Sequence, residues 1–218
     1  MRRVLLLILL FLLAAMPAGC SLLPGRQEEP ANEISPFPEG DMQSEAPGPK
    51  LRETVFYLPD APWRLLIPVR IYIPWEEGIA KATLRYCTAG NLPDAAAAAG
   101  LAPLLPAGTR VLGMSINDGL AKVDFSREFL GYPTEHEDLI LDGITYTLTE
   151  FPTIDRVKIL VEQSEPVFPG GANAAEPFRR EFGLNLEVDD DVDDFSGTGR
   201  ITLYFLSAAG DNIFYVPV

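Results

Sequence analysis

The amino-acid sequence predicts an α/β protein: a two-layer α/β sandwich of two helices on one mixed or antiparallel sheet, in the order β-β-α-β-β-α-β, followed by a partial second copy. Three observations lead there. Between Glu53 and Glu162, β-rich runs alternate with two stretches of helical periodicity. Within that span, Asn117-Asp118-Gly119 separates two runs of strand character, as a tight hairpin turn does. Near the C-terminus, Thr202-Leu203-Tyr204-Phe205-Leu206 and Val216-Pro217-Val218 echo Thr54-Val55-Phe56-Tyr57-Leu58 and Ile67-Pro68-Val69, about 148 residues further on.

The elements follow in chain order. Thr54–Leu58 is a β-rich run closed by the turn signal Pro59-Asp60. Leu65–Ile73 is the second strand, and its internal Pro68 places it at an edge or a bulge. Pro74 fits the first position of a helix, with Glu76 and Glu77 near its positive end and Gly90 terminating it. Asn91–Gly108, rich in Ala, Leu and Pro, reads as a long, partly packed connection in which Ala95–Ala99 forms a turn or two of helix. Arg110–Ile116 and Leu120–Phe125 are the hairpin strands. Thr134 and Glu137 have the T-x-x-E spacing of a capping box, and Ile140, Ile144, Leu148 and Phe151 then recur at helical spacing up to Pro152. Gly143, costly within a helix, implies a close neighbour there. Asp155–Glu162 is the last strand of this unit, with Val157, Ile159 and Val161 on one face.

The flanks differ in composition. Ser21–Lys50 carries six prolines and six acidic residues, so it reads as a disordered tether. Residues 51–163 are the folded domain. Residues 164–199 read as an acidic linker whose run from Glu187 to Asp194 holds six carboxylates. That run lacks the alternation and central glycine of an EF-hand loop, which favours solvated, self-repelling chain over a calcium site. Residues 200–218 are the first two strands of an incomplete repeat.

The first 20 residues have the parts of an export signal: Arg2 and Arg3, an apolar run from Val4 to Ala15, and small residues leading to Cys20. The apolar run is shorter than the roughly 20 residues needed to span the hydrocarbon core. Ala18-Gly19-Cys20 resembles the lipobox of bacterial lipoproteins, with Pro17 where that motif usually carries Leu. The resemblance implies a lipid on Cys20, a membrane anchor and an extracytoplasmic location.

Composition narrows the function classes. A net charge of −14 repels nucleic acid and anionic lipid. Once Cys20 is lipidated only Cys87 remains, so no intrachain disulfide forms, and Cys87 reads as a small buried apolar residue. A single histidine leaves no Cys/His cluster for zinc. That residue, His136, is the one to test as a catalytic base, but its charged surroundings favour a surface role. Ser115 and Ser126 lack the pattern of a nucleophile elbow.

Val111–Ile116, Ala121–Phe129 and Tyr146–Glu162 resemble the core blocks of the GerM domain, and Leu105-Pro106-Ala107-Gly108-Thr109 matches the Leu-Pro-x-Gly-Thr that usually precedes its central strand. That domain occurs in sporulation and spore-germination lipoproteins and is similar to ring-building folds that associate side by side. The resemblance implies a non-enzymatic assembly role, with envelope or sporulation proteins as partners, self-association among the options, and no catalytic residue or cofactor. A module that binds wall fragments or a germinant is the second reading, and a peptidoglycan-modifying enzyme the third. Two or more acyl chains anchor stably where one does so marginally, so a Cys20→Ser chain is expected in the medium rather than the membrane fraction. Retention of that variant in the membrane would refute the lipid anchor.

Overall fold

The computed structural model describes residues 50–180, 183–185, 202–209 and 212–218. Its opening element is an antiparallel hairpin of β1 (Leu51–Pro59) and β2 (Leu66–Pro74), paired from Leu51↔Pro74 to Pro59↔Leu66. Alternation places Thr54, Phe56 and Leu58 of β1 and Ile67, Ile71 and Ile73 of β2 on the buried face. Pro68 lies opposite Tyr57, whose N–H points out of the hairpin to Thr147 Oγ1 at 3.0 Å. That pair is therefore a non-hydrogen-bonded one, and the N–H that Pro68 lacks costs the ladder nothing.

The expected helix start at Pro74 does not occur. Strand pairing runs through Pro74, and Trp75 N–H closes the strand end on the Lys50 carbonyl at 2.7 Å. Helix α1 (Ile79–Tyr86) begins only after Gly78, which takes the left-handed conformation at φ 75°. Glu76 pairs with Arg85 rather than sitting in the first turn. At the other end the helix stops at Tyr86, before Gly90, with Cys87 as its cap.

Helix α2 (Asp94–Ala98) is a single short piece within the Ala- and Leu-rich connection. This connection is more firmly packed than its composition suggests. Leu101, Leu104 and Leu105 are buried, and Leu105 exchanges backbone hydrogen bonds with Cys87 and Ala89 at 2.9 and 3.0 Å.

A separate three-stranded sheet has the order β3-β4-β5, from β3 (Val111–Asn117), β4 (Leu120–Phe125) and β5 (Arg156–Val161). Strands β3 and β4 form the expected hairpin, with φ positive at both Asp118 (48°) and Gly119 (75°). Strand β5 runs parallel to β4, and helix α3 (Glu137–Thr149) provides the crossover. The α/β class and element order are as expected, but β1–β5 form two hydrogen-bonded sheets rather than one. The exposed edges of the first hairpin are closed from outside: Thr147 of α3 meets Tyr57, while Asn185 meets both the N–H and the carbonyl of Leu66 at 2.7 and 2.9 Å.

The capping box does not form either. Residues Thr134–His136 make a 3-10 turn, α3 starts at Glu137, and no side chain caps its first turn. The Glu137 side chain turns inward instead, to the Gly170 and Ala172 N–H groups.

After β5 the chain stays on the domain, which corrects the reading of residues 164–180 as part of a linker. As an outer strand, β5 has free backbone groups, and Phe178 exchanges two 2.8 Å hydrogen bonds with Val157. Phe168 is buried, and Lys158 Nζ donates to the Ala174 and Ala175 carbonyls while pairing with Glu165. The acidic run from Glu187 to Asp194 lies outside the described residues.

Strands β6 (Tyr204–Ala209) and β7 (Asn212–Pro217) form a second antiparallel hairpin. Its pairs fall 148 positions after those of the first: Phe56↔Val69 becomes Tyr204↔Pro217, and Leu58↔Ile67 becomes Leu206↔Tyr215. Pro217 thus occupies the place of Val69 rather than that of Pro68. The hairpin is seated through buried Val216, half-buried Phe214, and a 3.0 Å bond from Asn185 Nδ2 to the Pro217 carbonyl.

The close neighbour implied at Gly143 is Leu104. A Cβ added there would lie 2.5 Å from Leu104 Cδ1 and 3.2 Å from its Cγ, and Leu104 is fully buried. Overpacking of about 1–3 kcal/mol outweighs a helix-propensity gain of about 1 kcal/mol. Gly143→Ala is expected to lower the urea midpoint, and adding Leu104→Ala should relieve the clash, so that the two substitutions are less than additive. A raised midpoint in the single variant would refute the contact.

Candidate functional site

The residues singled out in the sequence do not converge on one site. Cys20 lies outside the described residues. Cys87 is buried, and loss of hydration pushes its thiol far above the ordinary range, which leaves it unreactive. Ser126 is fully buried, and its Oγ accepts the Arg110 N–H at 3.1 Å, which fixes the entry to β3. Ser115 lies on β3. His136 is half-buried and stacks on Trp63, with ring centroids 4.4 Å apart and planes within 9°. Among the described residues, no group of three or more His, Cys, Asp or Glu side chains could hold a metal ion.

What the fold builds is a cleft of about 580 Å³ between α3, the start of β2 and residues 173–179, 183 and 185. Helix α3 contributes Asp138, Leu139, Asp142 and Tyr146. Asp138 and Asp142 are four residues apart, hence on one face. Loss of hydration, and then the charge of Asp138, push the Asp142 carboxyl up to about 6.

The hairpin turn before β2 supplies Arg64. Asp60 shapes this turn: nearly inaccessible, it accepts the N–H groups of Arg64 and Leu65 at 2.7 and 3.0 Å and pairs with the Arg64 guanidinium at 3.4 Å. Trp63 sits in the same turn at φ 58°, a strained conformation for a bulky residue.

The third wall is fixed by a buried carboxylate. Glu137, 3% exposed, accepts the Ala172 N–H at 2.8 Å, the Tyr132 hydroxyl at 3.1 Å and the Gly170 N–H. A Cβ on Gly170 would lie 2.7 Å from the Glu137 carboxyl carbon, so the lack of a side chain at 170 lets the loop approach the acid in its present position. Arg180 secures the far end. Its guanidinium pairs with Glu150, donates to the Tyr146 carbonyl at 2.8 Å and lies over the Tyr146 and Tyr57 rings at 4.7 and 5.5 Å. The Tyr57 hydroxyl, which donates to Glu150 at 2.8 Å, is pushed up to about 12 chiefly by burial.

The second feature is the outward face of the β6–β7 hairpin. Tyr204, Leu206 and Tyr215 are 67%, 65% and 71% exposed, whereas Phe56, Leu58 and Ile67, their counterparts in the first hairpin, are fully buried. In the first copy α3 lies along β1 and meets Tyr57 through Thr147 and Tyr146. Among the described residues nothing equivalent covers the second.

The periodicity of α3 gives Asp138 and Asp142 away in the sequence as a pair. Arg64 and Arg179 have no such signal, because they meet the site through a turn and a non-periodic segment, while Glu137 carries the spacing of a capping box but turns to other partners.

An α/β unit followed by the opening hairpin of its own repeat defines a tandem-repeat module. The chain belongs to the family described as "Germane: Sporulation and spore germination", whose family model matches residues 54–166. It is similar to the spore germination protein GerM of Bacillus subtilis (strain 168), at 37% identity over 150 residues, 67% of this chain and 40% of that protein. Among solved structures it resembles the tandem GerMN domains of the B. subtilis sporulation protein GerM, with 32% identity and a TM-score of 0.68 over 77% of this chain and 60% of that one. The first GerMN domain alone matches with a TM-score of 0.55 and 32% identity, over 59% of this chain and 98% of that domain. The chain therefore spans 40% of the length of the curated relative it matches.

Proposed function

We propose that this protein is a lipid-anchored, extracytoplasmic component that acts without catalysis in assembling envelope structures during sporulation or spore germination. Membership of a sporulation and germination family supports the setting. The observation that carries the assembly role is the β6–β7 hairpin, whose apolar face, buried in its counterpart, is open among the described residues to another chain or to a further segment of this one. Contiguous exposed apolar surface of this kind characterises interaction sites. Thr202–Val218 holds a single charged residue, Asp211, in a chain of net charge −14, so a partner meets little repulsion there. Other envelope proteins or further copies of this chain are the partners this reading implies. The charged cleft favours a second reading, in which the module also binds a small ligand.

Deleting the gene in the source organism is expected to reduce the yield of heat-resistant spores or to slow their germination. A full-length gene carrying Leu206→Glu should fail to restore the phenotype while its product accumulates normally, because the exposed hairpin tolerates the charge in the fold but not in a contact. Normal yield and germination in the deletion strain, or full rescue by Leu206→Glu, would contradict the assembly role.

A further inference from the structure

The cleft beside α3 carries both signs of charge on separate elements. Asp138 and Asp142 lie on the helix, Arg64 on the β1–β2 turn and Arg179 on the segment following β5. Among the described residues Asp138, Asp142 and Arg179 form no ion pair, and Arg64 has only a long contact to Asp60 from a largely exposed side chain. Its volume of about 580 Å³ falls in the range of small-molecule sites. Each single-sign ligand class meets an obstacle. A polyanion would face Asp138, Asp142 and Glu176, and a polycation would face the two guanidiniums. A neutral apolar molecule would strip water from both sets without replacing it.

We propose that this cleft binds a small zwitterion, an amino acid or short peptide, with its ammonium group against Asp138 and Asp142 and its carboxylate against Arg64 and Arg179. A guanidinium suits a carboxylate because its donors form a fixed fork. An ammonium between the two aspartates removes their mutual repulsion, the same repulsion that helps hold the Asp142 carboxyl above its ordinary value. The walls are set before a ligand arrives, on one side by Asp60 beneath Arg64 and on the other by Glu137 and Arg180. Such preorganisation lowers the ordering cost of binding. This inference concerns a ligand, not the assembly partner, and stands or falls independently of the hairpin.

The test is an NMR titration of the purified full chain with free alanine, trialanine, N-acetyl-trialanine and trialanine amide. Free alanine or trialanine should give saturable shifts around Asp142 and Arg179, with each blocked peptide binding roughly tenfold more weakly than trialanine, as loss of one charge-assisted contact implies. In Asp142→Asn, trialanine should weaken and the N-acetyl peptide should lose much of its disadvantage relative to it. Absence of saturable shifts with both alanine and trialanine, or equal binding of free and blocked peptides, would overturn the proposal. Sporulation phenotypes do not enter either outcome.

Discussion

The buried carboxylate of Glu137 holds together the parts of this molecule that strand pairing alone does not. It sits at the start of α3 and collects two backbone N–H groups and one hydroxyl from segments that precede and follow the helix. An acid in that position is stabilised by charge-assisted hydrogen bonds and by the positive end of the helix. Removing it would leave the two N–H groups and the Tyr132 hydroxyl without their acceptor, which is costly in the interior. The consequence runs outward. With Gly170 and Ala172 fixed, the chain returns along β5, Phe178 completes the edge of Val157, and Arg180 reaches the Tyr146 and Tyr57 rings. A segment with little regular secondary structure thus becomes a wall of the domain.

The two hairpins illustrate how one local pattern has two fates. Both pair in the same register, so Tyr204, Leu206 and Tyr215 lie on the face that Phe56, Leu58 and Ile67 form in the first. The first buries that face in the core, and its edges are occupied by Thr147 and Asn185. The second rests on the domain through Val216 and Asn185 while Tyr204, Leu206 and Tyr215 face outward. The same Asn185 side chain touches Leu66 of one hairpin and Pro217 of the other, so one amide bridges the repeat and its predecessor beside the packing of Val216 and Phe214.

Much of this architecture is legible in the sequence because it rests on short-range rules. The Asp118-Gly119 turn, the apolar stripe of α3, the alternation in β5 and the close approach at Gly143 all follow from local spacing. The echo between Thr54–Leu58 and Thr202–Leu206 likewise marks the second hairpin before any pairing is known. Other features depend on partners far along the chain. Thr134 and Glu137 have the spacing of a capping box whether the acid turns back to the cap or inward to Gly170, and burial decides for the second. Residues 164–180 look like linker because their attachments run through backbone groups and small residues. Pro74 has the local signature of a helix start, yet the register with Leu51 keeps it in the strand. The cleft is the least legible feature, since Arg64 and Arg179 join Asp138 and Asp142 only through tertiary structure.

Hydrogen exchange at the Gly170 and Ala172 amides, in the native chain and in Glu137→Ala, tests this account most directly. Both amides should be protected in the native protein to the level of β5. In the variant that protection should vanish, the Phe178 amide should exchange faster, and unfolding stability should fall by about 3 kcal/mol. Rapid exchange of the two amides in the native protein, or unchanged protection in Glu137→Ala, would contradict it and return residues 164–180 to the status of a linker.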